Sequence, residues 1–444
     1  MSRGDLARRW LVLCVVGVAM GANYYIYDSI NPLERVFIER LGFTATTFGW
    51  LNASYAATAI LTLLVGGIAI DRLGTRRAVP IFAVICLAGA LLTAASGHPT
   101  TMIAGRALLG LGGESLVVAA TTVIARWFKG KELAFAFGIK VTLARLASVA
   151  ADNSPAWAHH AYYPQGPEGA PSWQGPLLLA AGAGLVGVVA AATYARLERP
   201  AADRGVHSAS GQRSAGAKWW TVSLRFSPSY WFVVGICLSF YSAIIPFRTF
   251  AIDFFTSRLL AATGDAGIAA AERALAHQHA SSFASLLPLS AMIATPLLGL
   301  LSDRIGRRAS LMLGAALLLC PVYLLLGYTL LPLWMPLLMM GVAFAVIPAV
   351  MWPSVAYLVA PSRLGTAYAL MTLIEQLGFF CLNLIIGSTN DHEHAGPDHL
   401  EGYRPGMWIF TAVAAAGVLF AALLRLRESG RRAHGLETVA GSNA

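Results

Sequence analysis

The stretch Gly67-Ile68-Ala69-Ile70-Asp71-Arg72-Leu73-Gly74-Thr75-Arg76-Arg77 closes one apolar run and opens the next. A second copy, Gly299-Leu300-Leu301-Ser302-Asp303-Arg304-Ile305-Gly306-Arg307-Arg308, does the same 232 residues later. The glycine, aspartate, arginine, aliphatic residue and second glycine keep their spacing, and a pair of arginines follows in each copy. One acid and several bases wedged between long apolar runs mark a short connection at a membrane face. Recurrence at matching places in the chain marks a duplicated helical domain.

The rest of the sequence agrees. Of 444 residues, 57% are apolar and 12% charged, with a mean hydropathy of +0.63, whereas soluble domains carry about 25% charged residues. A soluble enzyme, a disordered chain and a coiled coil are thereby excluded. A spanning helix needs about 20 apolar residues to cross roughly 30 Å of hydrocarbon. Twelve runs meet that length: 10–30, 48–70, 78–96, 101–126, 132–154, 175–195, 230–256, 281–301, 309–328, 333–359, 364–387 and 406–424. The first lacks a small-residue cleavage site and leads into further spans, so it reads as a helix rather than a cleaved signal. The five cysteines, Cys14, Cys86, Cys237, Cys320 and Cys381, fall inside these runs with no metal-ligand spacing and read as small core hydrophobes.

The net charge of +10 reports topology here, not a nucleic-acid partner. With both ends cytoplasmic, the inner segments hold 23 of the 32 Lys and Arg residues and the outer loops five, Arg35, Arg40, Arg258, Arg273 and Arg404. A shift of one span would invert that bias, so an even number of spans is expected. Residues 196–228, rich in Ala, Ser, Gly and Arg and without apolar period, read as a cytoplasmic linker. It separates a six-helix half over 1–195 from a second over 229–425, and 426–444 form a cytoplasmic tail.

The duplicated loop resembles the signature of the major facilitator superfamily, and the resemblance covers the whole chain, linker included. It implies an all-α membrane fold of twelve helices in two six-helix halves that rock about a midplane site. Gly67 and Gly299 would let helices approach, with Asp71, Arg72, Gly74 and Arg76, and Asp303, Arg304, Gly306 and Arg307, forming inner gate loops. Asp71 would face a helix N-terminus near Gly365, and Asp303 one near Gly130. A topogenic positive loop with a tight turn is the plainer reading of the same residues.

A more specific resemblance lies between the fourth and fifth runs. Gly112-Gly113-Glu114-Ser115-Leu116, Trp127-Phe128-Lys129-Gly130-Lys131-Glu132-Leu133, Phe137-Gly138 and Ala144-Arg145-Leu146-Ala147-Ser148 are similar to the branch that contains the lysosomal dipeptide transporters. Leu364-Gly365-Thr366-Ala367-Tyr368 and Tyr27-Asp28 resemble the same branch. The resemblance implies a dipeptide as partner, its amino group held at Glu114 and its carboxylate at Arg145. It also implies that relatives work with a glycosylated accessory subunit, for which nothing here marks a docking surface.

The residues can be read independently. At 1.5 Å rise per residue, Glu114 lies roughly 18 Å from Arg126 and Arg145 roughly 21 Å from Lys131, both near mid-membrane. A charge there costs at least about 2.5 to 3.5 kcal/mol and therefore faces a cavity or a partner. A zwitterion would satisfy both groups; a Glu114–Arg145 ion pair would do so equally. Lys140 and Glu375, roughly 14 Å and 16 Å from their inner ends, depart from the branch. They read as an inter-half pair, a proton site or a draw for acidic side chains. Arg106 reads as an access or protonation tuner, or as a packing arginine on a carbonyl. Tyr27 and its neighbours Tyr24 and Tyr25 line a cavity or an interfacial belt, and Asp28, Arg248 and Asp253 line an entrance or sit at the interface. Eight of the ten histidines fall in outer loops, and the Asp391-His392-Glu393-His394 cluster reads as a metal site, a sensor of external pH or, more plainly, a solvated loop.

No catalytic set appears: there is no Gly-x-x-x-x-Gly-Lys-Ser/Thr loop, no nucleophile elbow and no His-Glu-x-x-His. No cofactor is implied. The expectation is a secondary transporter of dipeptides, a uniporter or proton-coupled, working as a monomer in the lipid bilayer of a bacterial inner membrane. An organic-anion antiporter and a non-transporting receptor or assembly subunit are the alternatives. Reporters fused to the two termini are expected to read the same, cytoplasmic face; opposite readings would reject the even number of spans.

Overall fold

The computed structural model describes residues 3–128, 132–198, 226–262, 270–360, 363–430 and 433–437. The core of the expected linker, 199–225, Lys129 to Lys131 of the branch motif, and the tail beyond 437 lie outside the described residues. The described residues are nearly all helical, as they must be where hydrocarbon offers backbone amides no partner outside their own helix. The main helices are α1 (Arg3–Asp28), α2 (Ala45–Leu73), α3 (Thr75–Ala95), α4 (Pro99–Phe128), α5 (Leu133–Asp152), α6 (Gln174–Leu197), α7 (Pro228–Ala261), α8 (Ala270–Ile305), α9 (Arg308–Leu319), α10 (Trp334–Val346), α11 (Leu364–His392) and α12 (Arg404–Glu428). Each coincides with one expected run. Ten described segments are long and apolar enough to cross a membrane by length and composition; α2 and α5, of 29 and 20 residues, are the other two main helices.

Departures from the expected bounds have local causes. Helix α8 begins at Ala270 rather than near 281, because Ala270 to Ala280 is alanine-rich and continues the helix beyond the apolar window. Pro321 interrupts the ninth run, which resumes as Val322–Tyr328, and Pro348 lies in the wider turn Ile347–Met351 that joins α10 to Trp352–Leu358. The apolar window of α7 is 72% buried and that of α8 33%, so α7 is an interior helix. Exposed Leu297 and Leu300 on α8, with Phe135, Val189 and Leu419 elsewhere, supply the apolar exterior a bilayer requires.

Two compact units emerge, one of Met1–Ile30, Ser54–Ala151 and Pro171–Val222, the other of Asn31–Ala53, Asp152–Ala170 and Ser223–Ala444. Each repeated loop turns in the same way. Gly74 has φ +71° and Gly306 φ +78°, and their amides donate to the carbonyls of Ile70 at 2.9 Å and Ser302 at 3.0 Å. A residue at positive φ that closes a helix this way is cheap only for glycine.

Helix ends in the second unit are capped from a distance. Asp391, the penultimate residue of α11, accepts from the amides of Ala45 at 2.7 Å and Thr46 at 2.8 Å, the first residues of α2. It therefore sits in a helix and caps another, not in a solvated loop. Glu437 likewise accepts from the Ser310 amide at 2.7 Å and hydroxyl at 2.8 Å in the first turn of α9. Asp391→Ala is expected to lower stability by about 1 to 2 kcal/mol through loss of a charged cap. Thermal unfolding in detergent would show a reduced Tm, and Asp391→Asn a smaller reduction.

Candidate functional site

In the first unit the site is built on glycine-rich α4. Gly113 is buried, and a Cβ there would lie 2.8 Å from the Tyr55 hydroxyl and 2.9 Å from Asn23 Oδ1. Glycine at that position lets α1 and α2 press polar side chains against α4. The neighbouring residue, Glu114, is half-buried, and Tyr55 Oη donates to its Oε1 at 3.2 Å. Tyr55 packs on Tyr27 with ring centroids 4.6 Å apart. The Arg106 guanidinium lies 5.1 Å over the Tyr27 ring and 5.8 Å over that of Tyr55. It is 1% exposed and donates to the Ile26 carbonyl at 3.3 Å. Two π faces and a carbonyl thus accommodate this cation, the packing role left open by its sequence.

Two further cations lie on α5. Arg145 is half-buried, as Glu114 is. Lys140 is buried and donates from Nζ to Thr121 Oγ1 on α4 at 2.5 Å, with the Phe137 ring centroid 5.5 Å away. The described ends of the branch motif tie helices together. Arg9 of α1 pairs with Glu132 and lies 4.5 Å over the Phe128 ring, and Trp127 Nε1 donates to Glu198 beyond α6 at 2.9 Å. Asp28 is buried at the end of α1.

The second unit holds Glu375, buried on α11, and three clusters absent from the sequence reading. Arg248 donates to Asp152 at 2.7 Å, and Asn31 donates to the other oxygen of Asp152 at 3.2 Å. Arg35 grips Asp253 with two bonds, Nε to Oδ1 at 2.7 Å and an Nη to Oδ2 at 3.1 Å. Tyr403 donates to the same Oδ2. His277, expected in a solvated loop, is 5% exposed on α8. One ring nitrogen lies 2.7 Å from the Pro32 carbonyl and the other 3.3 Å from the Tyr163 hydroxyl. That pattern fits a neutral ring donating to the carbonyl and accepting from the phenol. Burial, with the Glu39 carboxylate in reach, pushes Tyr163 up to about 12, so it keeps its proton. No sequence signal linked these residues, since their partners are roughly 90 to 250 positions apart.

Of the expected gate residues, Gly74 and Gly306 make the turns described, and Arg72, Arg76, Arg304 and Arg307 are exposed. Arg76 Nε donates to the Ala195 carbonyl at 3.0 Å, at the end of α6. Asp303 is exposed and takes Arg308 of its own loop at 3.3 Å, while Arg308 also lies 4.4 Å over the Tyr357 ring. A Cβ at Gly299 or Gly365 would meet open space. Gly67 and Asp71 lie on α2; their side-chain surroundings and Gly130 fall outside the described residues.

The chain belongs to the Major Facilitator Superfamily, whose model matches residues 13–269 and again 247–440. It is a multi-pass membrane transporter, not an enzyme. It is similar to the lysosomal dipeptide transporter MFSD1 of Danio rerio, 29% identical over 391 residues that cover 87% of this chain and 81% of that one. The protein of the same name from Homo sapiens is 28% identical over the same shares. Its fold matches the crystal structure of a bacterial homologue of the human lysosomal transporter Spinster with a TM-score of 0.69, at 16% identity over 96% of this chain and 97% of that one.

Arg248→Ala should cost about 3 to 5 kcal/mol by leaving Asp152 charged and buried. Adding Asp152→Asn should recover much of the loss, and a double-mutant cycle on thermal stability would measure the coupling.

Proposed function

We propose that this protein moves dipeptides across the membrane by alternating access, with Glu114 receiving the peptide's amino group and Arg145 its carboxylate. The observation that carries the reading is the coincidence of two features. Relatives named as dipeptide transporters match 87% of the chain, and an acid and a guanidinium, both half-buried, stand on α4 and α5 of one unit. The planar fork of arginine suits bidentate capture of a carboxylate. Tyr55, already bonded to Glu114, orients the carboxylate that would meet the ammonium. Every dipeptide carries these two end groups at a separation set by its backbone, so anchoring there gives broad acceptance of side chains. Arg106 and Lys140, committed to Ile26 and Thr121, support the walls of the site. Lys140 and Glu375 bear on which side chains are preferred. A bacterial inner membrane with both termini in the cytoplasm is the proposed setting.

Proteoliposomes loaded with a mixed dipeptide panel test the proposal. Glu114→Gln and Arg145→Ala should each weaken apparent affinity by roughly 10- to 100-fold, the worth of one charge-assisted hydrogen bond of about 1.5 to 3 kcal/mol. Unchanged uptake by both variants would overturn the site. Thermal stabilisation by dicarboxylates and not by dipeptides would reassign the cargo to organic anions.

A further inference from the structure

The Arg35–Asp253 pair of the second unit is the centre of a larger node. Tyr403 donates to Asp253, the Ser257 hydroxyl lies 3.1 Å from Tyr403 Oη, and an Arg35 Nη lies 3.4 Å from each of those two oxygens. Beside it stands Glu34, the first residue of the short helix Glu34–Leu41. Glu34 is 1% exposed, and its Oε2 is buried with no hydrogen-bond partner.

The groups whose charge reaches Glu34 are Arg35 in its own helix, Asp253 on α7, Asp391 on α11 and Tyr403 ahead of α12. His277 on α8 faces Asp253, with both ring nitrogens engaged elsewhere. Two carboxylates, Asp253 and Glu34, therefore stand beside one guanidinium. Arg35 is already spent on Asp253 through two bonds, and Asp391 is answered by two amides of α2. Among the described residues no hydrogen bond reaches Oε2 of Glu34, and a poorly answered carboxylate out of water is strongly disfavoured.

We propose that Glu34 is a proton-binding site that controls closure of this node. While Arg35, Asp253 and Tyr403 are joined, Glu34 carries one proton as a neutral carboxylic acid. When residues 31–53 separate from α7, α11 and α12, water reaches Glu34, its O–H bond breaks, and the proton leaves to the solution on the side opposite the second Gly-x-x-x-Asp-Arg loop, at the far end of α8. Closure takes the same proton back from that side, so the site senses pH on one face and carries no net proton across. The ratio of closed to open then falls by up to tenfold for each unit of rising pH, within the interval between the acid's open and closed titrations.

The test uses the full chain in lipid nanodiscs with no transported solute, so its outcome is independent of the cargo. Infrared spectra at neutral pH are expected to show the C=O stretch of a buried protonated acid, lost in Glu34→Gln. Asp253→Asn, which frees Arg35 for Glu34, should also remove it by ionising the acid; a purely structural role for Glu34 would leave the band in place. Hydrogen exchange over residues 31–53, corrected for the intrinsic effect of pH, should lose protection as pH rises in the wild type and stay protected in Glu34→Gln. Absence of a protonated-acid band that Glu34→Gln removes would overturn the proposal. So would wild-type protection that does not change with pH, a result that needs no variant to fold.

Discussion

A charge taken out of water must be answered where it sits, and the arrangement of this protein follows from that constraint. The cations away from water are answered in several ways. Arg106 rests between two tyrosine faces and a helix carbonyl, Lys140 is held by a threonine hydroxyl, and Arg248 and Arg35 are paired with aspartates. The aspartate pairs unite segments far apart in sequence, because a charge in a low-dielectric interior is bonded strongly only where its partner is held in register by packed helices. Glu34, in the second unit, is a buried acid beside a cation already engaged, and for that reason its protonation matters.

Packing supplies the register. In the first unit the glycines of α4 let neighbouring helices come close enough for Tyr55 to reach Glu114 and for Arg106 to insert under Tyr27. A side chain at Gly113 would displace the Tyr55 hydroxyl and the Asn23 amide and so disturb the bond from Tyr55 to Glu114. Association in a bilayer relies on such close approach, since lipid tails are as apolar as the helices themselves. The flanks of the branch motif act in the same sense at the ends of the helices, with Arg9, Glu132, Trp127 and Glu198 fastening α1, α5, α4 and the end of α6.

Helix termini form a second theme. The first two amides of α2 are satisfied by Asp391 and the Ser310 amide in the first turn of α9 by Glu437, each a carboxylate from another element placed where the helix dipole favours negative charge. The repeated loops close their helices with glycine at positive φ, and this shared geometry gives the duplicated sequence its physical meaning. In the second copy Arg308 divides its guanidinium between Asp303 and the Tyr357 ring, while its amide donates to the Leu436 carbonyl at 2.7 Å. The residues just beyond α12 thereby belong to that loop.

The number and order of the helices, the duplication and the membrane setting were legible in the sequence, because they depend on properties local to each stretch: apolar length, charge at the ends, and glycine where the chain must turn. Glu114 and Arg145 were legible for the same reason, as charges inside apolar runs attract notice wherever they point. Arg35 and His277 looked like loop residues, Asp253 like an entrance or interfacial residue and Asp391 like part of an outer-loop cluster, and an alanine-rich extension made α8 begin eleven residues before its apolar window. What those side chains do was decided only by tertiary structure. A salt bridge or a cap between residues roughly a hundred or more positions apart has no signature in either partner's neighbourhood; it exists because folding brings a buried charge to groups able to neutralise it.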